Sequence, residues 1–117
     1  MDIQPSQFFQ LLSDETRLRC LLLMQREGEL CVCELTHALG AIQPKISRHL
    51  AALRDAGVVA DRRRGQWVFY RIHPDLPEWA SQVIRVTAAE AGERPPFRED
   101  RAALAKMPNR PDTSRCP

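Results

Sequence analysis

The sequence predicts one small, mainly α-helical domain that carries a single β-hairpin. Three observations point to it. Apolar residues recur at helical spacing through most of the first 91 positions, and two β-prone runs, 58–63 and 66–72, flank the turn pair Arg64-Gly65. A chain of 117 residues with 44% hydrophobic composition also supplies one modest core and no second one.

Each element has its own local reason. Residues 5–12 read as a short helix with Phe8, Phe9, Leu11 and Leu12 apolar. Ser13 can cap a second helix over 14–25, whose stretch 18–24 is apolar almost all round except at Arg19 and so belongs deep in the core. Gly28 ends it. A third, shorter helix over 30–39 turns Leu35, Ala38 and Leu39 inward and stops at Gly40. Two residues later Gln43 takes a cap position and Pro44 the first turn of a fourth helix. Ile46, Leu50 and Leu53 fall at i, i+4 and i+7 before Gly57 stops it, and Lys45, Arg48 and Ala52 lie opposite, with Ser47 at the edge. After the hairpin, Pro74 and Pro77 open a fifth helix to Ala91 with Leu76, Trp79, Ala80, Val83, Ile84, Thr87 and Ala88 as one apolar stripe. That stripe is too apolar for solvent and is expected to meet a second copy of the chain. Beyond Gly92 lie five of the nine prolines and few large apolar residues, so residues 1–91 are expected to form the domain and 92–117 a flexible Pro- and Arg-rich tail with one helical turn near 101–106.

Two helices joined by a short Gly-containing turn, the second basic on its exposed face, make a helix-turn-helix, and the hairpin behind it makes a wing. Charge supports a nucleic-acid partner. Net charge is only +2, but between Ala41 and Ile72 seven basic residues meet two acidic ones, and fifteen of the seventeen basic residues are Arg, suited to phosphate and guanine. Gln43, Lys45, Ser47, Arg48 and His49 are the candidate readers of double-stranded DNA, and Arg62, Arg63 and Arg64 the candidate clamp on its backbone. Read alone, the arginine run is an ordinary solvated turn and His49 a packing residue.

Residues 1–10 have no basic start of a signal peptide, and the longest apolar run is too short to span a bilayer, so no membrane partner and a cytoplasmic location are expected. In that compartment the four cysteines are free, metal-binding or redox-active rather than structural disulfides. Cys31 and Cys33 open the third helix, where the helix dipole favours thiolates, which bind soft metals and metalloids. Positions i and i+2 of a helix point roughly 200° apart, so one ion held by both thiolates is expected to distort that helix. Cys20 reads as a small core residue, Cys116 as either an idle thiol or a further ligand, and His37 and His73 as surface residues.

With these residues in view, the sequence resembles the ArsR/SmtB family of metal-sensing repressors, in its arsenic-responsive ArsR branch. The resemblance rests on residues 13–19 (SDETRLR), 29–35 (ELCVCEL), 43–50 (QPKISRHL) and 65–72 (GQWVFYRI), within a span of about 8–91. It implies a homodimeric winged helix-turn-helix repressor, paired through its first and last helices, that blocks a resistance operon until As(III) or Sb(III) binds Cys31 and Cys33. The branch usually adds a third cysteine three residues after the second, where this chain has Thr36. A third ligand would then come from elsewhere, with Cys116 the candidate, or a trivalent methylarsenical would need only two sulfurs. Zinc-sensing relatives use His and carboxylate ligands on the last helix, and 75–91 contains no His.

Two other readings of the same cysteines are a redox-sensing or a Cd/Pb-sensing repressor of this fold. A third, from another class, is a small thiol oxidoreductase. An enzyme is not expected, because the chain has no Cys-x-x-Cys in a βαβ setting, no Gly-rich phosphate loop and no Ser-His or carboxylate arrangement.

Overall fold

Five consecutive side chains, Cys20, Leu21, Leu22, Leu23 and Met24, are each no more than 5% exposed, so the helix that bears them has no solvent face over that stretch. Everything else packs around it. The computed structural model describes residues 2–111, and among them the elements run α1 (Pro5–Leu12), α2 (Glu15–Glu27), β1 (Leu30–Cys31), α3 (Val32–Leu39), α4 (Gln43–Asp55), β2 (Val59–Arg64), β3 (Trp67–Ile72), α5 (Glu78–Ala91) and α6 (Phe97–Ala105). The central helix α2 touches α1, α3, α4, α5, α6 and β3. Each large side chain buried there contributes roughly 1.5–3 kcal/mol.

Local chemistry sets the boundaries. Asp14, rather than Ser13, caps α2, its carboxylate accepting the Arg17 N–H at 3.0 Å, while Ser13 closes α1 and its hydroxyl donates to the Gln10 carbonyl. Gly40, in the left-handed region at φ 64°, ends α3, and the turn Gly40-Ala41-Ile42 leads into α4 with Ile42 as N-cap. Ile46, Leu50 and Leu53 are fully buried and fix α4 against the core. The hairpin turns tightly through Gly65 at φ 58°, pairing Arg64 with Trp67.

Further expectations need correction. The third helix does not begin at Leu30: Leu30 and Cys31 are extended and pair with Tyr70 and Phe69, adding an edge strand to an antiparallel sheet of order β1-β3-β2. Helical periodicity could not detect this, because two residues are too short to show a period. The segment after Gly92 is also more than a flexible tail with one helical turn near 101–106. It contains α6, packed on α3 and α2, with Leu104 buried and the carboxylate of buried Asp100 held by the Arg19 guanidinium at 2.9 and 2.6 Å. One buried leucine and an ion pair 81 positions apart leave almost no apolar pattern to read.

The predicted stripe of α5 divides. Leu76, Ala80 and Ile84 are buried in the chain's own core, and Val83 and Ala88 pack against it. Trp79 and Val86 remain 38% and 59% exposed. No helix among the described residues is long and apolar enough to cross a membrane.

Candidate nucleic-acid interface and thiol pair

Burying Ile46, Leu50 and Leu53 forces the opposite face of α4 outward. Gln43, Lys45 and Arg48 are exposed there, Ser47 is half-buried, and the Gln43 amide donates to the Ser47 hydroxyl at 3.2 Å. Ile42, 70% exposed at the N-cap, stands beside them, an apolar group the sequence reading passed over.

His49 differs from the other candidate readers. Its ring turns toward α2, where Nδ1 lies 3.2 Å from an Arg17 Nη1 and 3.9 Å from an Asp14 carboxylate oxygen. A guanidinium can only donate, so Nδ1 accepts and the ring proton sits on Nε2. Burial first, then the neighbouring cations Arg17, Arg48 and Lys45, hold the imidazole below its ordinary pKa against the opposing pull of Asp14. Arg17 also donates to the Leu11 and Gln10 carbonyls at the end of α1, so one side chain joins α1, α2 and α4. His49 thus packs at the junction of α1, α2 and α4, its side chain 13% exposed.

The three wing arginines are also unequal. Arg62 forms a two-pronged pair with Glu29 at 2.8 and 2.6 Å, and its guanidinium lies 5.1 Å over the Phe69 ring. Arg63 and Arg64 are exposed at the tip.

The cysteine pair sits where sheet meets helix. Cys31 is the last residue of β1 and the N-cap of α3, with extended backbone at φ −83° and ψ 162°, and Cys33 lies one residue inside the helix. Their sulfurs are joined in a disulfide with Cα atoms 5.4 Å apart. The expected 200° divergence therefore does not apply: with Cys31 outside the helix, the two sulfurs meet and α3 stays wound. Buried Glu34 accepts the Cys31 N–H at 2.8 Å through one carboxylate oxygen, and its other oxygen accepts from Arg110. Thr36, one turn past Cys33, donates its hydroxyl to the Cys33 carbonyl at 2.9 Å.

Cys20 is fully buried and its thiol is pushed up to about 12 by burial, which leaves it inert. His73 accepts the Asp75 N–H and shapes a turn, and His37 is exposed. Among the described residues no group of three or more His, Cys, Asp or Glu is placed to hold a metal ion. Cys116 lies outside the described residues.

A helix-turn-helix with a cationic outer face, backed by a hairpin with arginines at its tip, defines a winged helix-turn-helix DNA-binding regulator. The family model for the bacterial regulatory proteins of the arsR family matches residues 14–61, which span both helices and the start of the wing. The chain is 51% identical to the arsenic resistance transcriptional regulator ArsR1 of Pseudomonas putida, over 80% of this chain and 84% of the relative. It is 55% identical to the arsenical resistance operon repressor of Escherichia coli, over 68% of each. A solution structure from Mycobacterium bovis, described as a homodimeric winged helix-turn-helix DNA-binding domain and a possible ArsR-family regulator, superposes with a TM-score of 0.62 at 28% identity, covering 75% of this chain and 78% of that one. The chain belongs to the ArsR family, whose members are transcriptional regulators rather than enzymes.

Proposed function

We propose that this chain is the homodimeric repressor of an arsenical-resistance operon, released from operator DNA when As(III) or Sb(III) binds the thiolates of Cys31 and Cys33. The observation that carries it is the convergence of two sulfurs at the joint between wing sheet and reader. The names of its relatives support the element.

The chemistry balances simply. Arsenous acid meets two thiols, two As–S bonds form, two As–O bonds break, and two waters leave with the thiol protons. The third position on arsenic keeps a hydroxide, or a methyl group in a methylarsenical. The disulfide must first take up two electrons and two protons from a thiol reductant.

Once reduced, the two thiols move independently, and an arsenic bound to both fixes their separation and direction. Either Cys31 must shift in β1, which is paired with wing strand β3, or Cys33 must shift in α3, which packs on α4. Both routes strain a DNA-binding element. Because the coupling is reciprocal, the metalloid binds free protein more tightly than operator-bound protein.

On the DNA side, Gln43, Lys45, Ser47 and Arg48 enter the major groove while Arg63 and Arg64 hold phosphates. Arg62 and His49 support these elements from behind. The dimer forms through α1 and α5, where Phe9, Trp79 and Val86 are exposed and the Trp79 ring meets buried Phe8 edge-on at 5.2 Å.

The test is a fluorescence-anisotropy titration of the reduced protein with duplex DNA from upstream of its own gene, followed by sodium arsenite. Release at a stoichiometry of one arsenic per Cys31/Cys33 pair is expected. Binding unaffected by arsenite, with release by hydrogen peroxide instead, would replace this reading with the redox-sensing one.

A further inference from the structure

We propose that Arg110, far outside the segment matched by the family model, is a positioning residue for the thiol pair. The inference rests on reading Cys31 and Cys33 as the metalloid ligands. Its starting point is Glu34, a carboxylate only 2% exposed. One oxygen accepts the Cys31 N–H and the other accepts from the Arg110 guanidinium, whose second arm reaches Glu27 at 3.1 Å near the end of α2.

The Glu34 cap holds Cys31 in the extended conformation that brings its sulfur to Cys33. A buried carboxylate keeps such a position only when its charge is compensated, and Arg110 supplies that cation. The ion pair with Glu27 also ties the arginine to α2, so the cap is braced against the core and not merely against α3. Upstream of Arg110, the chain is fastened by α6 through the Arg19 to Asp100 pair and buried Leu104. The C-terminal segment therefore reaches the thiols from a part of the molecule that carries no DNA-reading residue. Metalloid affinity can be set there without altering the operator contacts.

Arg110→Ala in the reduced full-length chain tests this through three readouts: arsenite affinity by calorimetry, hydrogen exchange of the Cys31 amide by NMR, and operator affinity without metalloid. Losing a charge-assisted hydrogen bond predicts about tenfold weaker arsenite binding and about tenfold faster exchange at Cys31, with operator affinity unchanged. Arg110→Lys, which keeps the charge, should recover most of both losses. In a Glu34→Gln background, which has no charge to compensate, Arg110→Ala should add little. Unchanged Cys31 exchange in Arg110→Ala, or an equal loss of operator affinity, overturns the proposal. The exchange readout is independent of arsenic: faster exchange in a protein that never binds arsenite would support the positioning role while removing the metalloid reading.

Discussion

Cys31 lies directly opposite Phe69 in the β1/β3 ladder. Phe69 is the ring beneath the Arg62 guanidinium, so the thiol pair is one cross-strand step from the base of the wing. Its other half, Cys33, is already inside the first helix of the helix-turn-helix. A ligand gripping both sulfurs would bridge the wing sheet and the first helix of the helix-turn-helix.

That placement separates sensing from reading. Cys31→Ser and Cys33→Ser should each leave operator affinity within about twofold, since neither is among the residues proposed to contact DNA and serine suits the N-cap and first turn of a helix. Each should abolish release by arsenite. The disulfide form of the parent should ignore arsenite until a phosphine reductant is added. Anisotropy with and without reductant checks both, and arsenite release from either Ser variant would move the sensor elsewhere.

The unequal wing arginines predict unequal salt effects. Each neutralised phosphate contributes about 0.9 to the slope of log K against log salt. Arg63→Ala and Arg64→Ala should each flatten that slope, by up to about 1.8 for a dimer with two wings. Arg62→Ala should flatten it less and instead loosen the wing, because its guanidinium is committed to Glu29 and Phe69. Equal slopes for all three variants would return Arg62 to the phosphate contacts.

Sequence periodicity located α1, α2, α4 and α5, and the hairpin, because each buries a regular apolar set against one common core. It stopped where burial is not periodic. β1 is two residues long, α6 buries one leucine, and Arg110 reaches Glu34 across 76 positions. Within the candidate site, residue types nominated Lys45, Arg48, Cys31 and Cys33, yet they could not tell which cations were already paired inside the fold. Arg62 and Arg64 look alike in sequence. Only the hairpin register brings Arg62 to Glu29.

The division of α5 selects the dimer test. Val83 packs against its own core, so Val83→Glu would damage the monomer as well as any interface. Val86 is 59% exposed, and Val86→Glu should leave the fold intact while splitting the dimer at micromolar concentration. Sedimentation velocity together with the thermal midpoint distinguishes the two. A Val86→Glu chain that still sediments as a dimer would exclude this face.

His49 gives the α2/α4 junction a defined pH response. Its folded-state pKa lies below the unfolded value near 6.5, so the neutral ring is the form the fold favours. The stabilisation is complete above the unfolded pKa and is lost as pH falls through the folded one, because the unfolded chain then binds the extra proton. The urea midpoint should drop between pH 7.5 and pH 5.5, and His49→Asn, which keeps an acceptor for Arg17 but does not titrate, should flatten that drop. An unaltered drop would assign the effect to other groups.

Cys116→Ser distinguishes a two-sulfur from a three-sulfur form of the proposed arsenic site. Cys116 lies outside the described residues, and Thr36 stands where a third thiol would sit one turn after Cys33. In the proposed site two thiolates already hold the arsenic, and a hydroxide or a methyl group fills its third position. The dithiol is therefore the expected site. Cys116→Ser should leave the arsenite response unchanged, and a trivalent methylarsenical should release the operator at least as well as arsenite does. Thr36→Cys tests the same point from the other side: it places a thiol one turn after Cys33 and should sharpen the arsenite response without affecting the methylarsenical one. A tenfold or greater loss of arsenite sensitivity in Cys116→Ser, with the methylarsenical response intact, would establish a three-sulfur site instead.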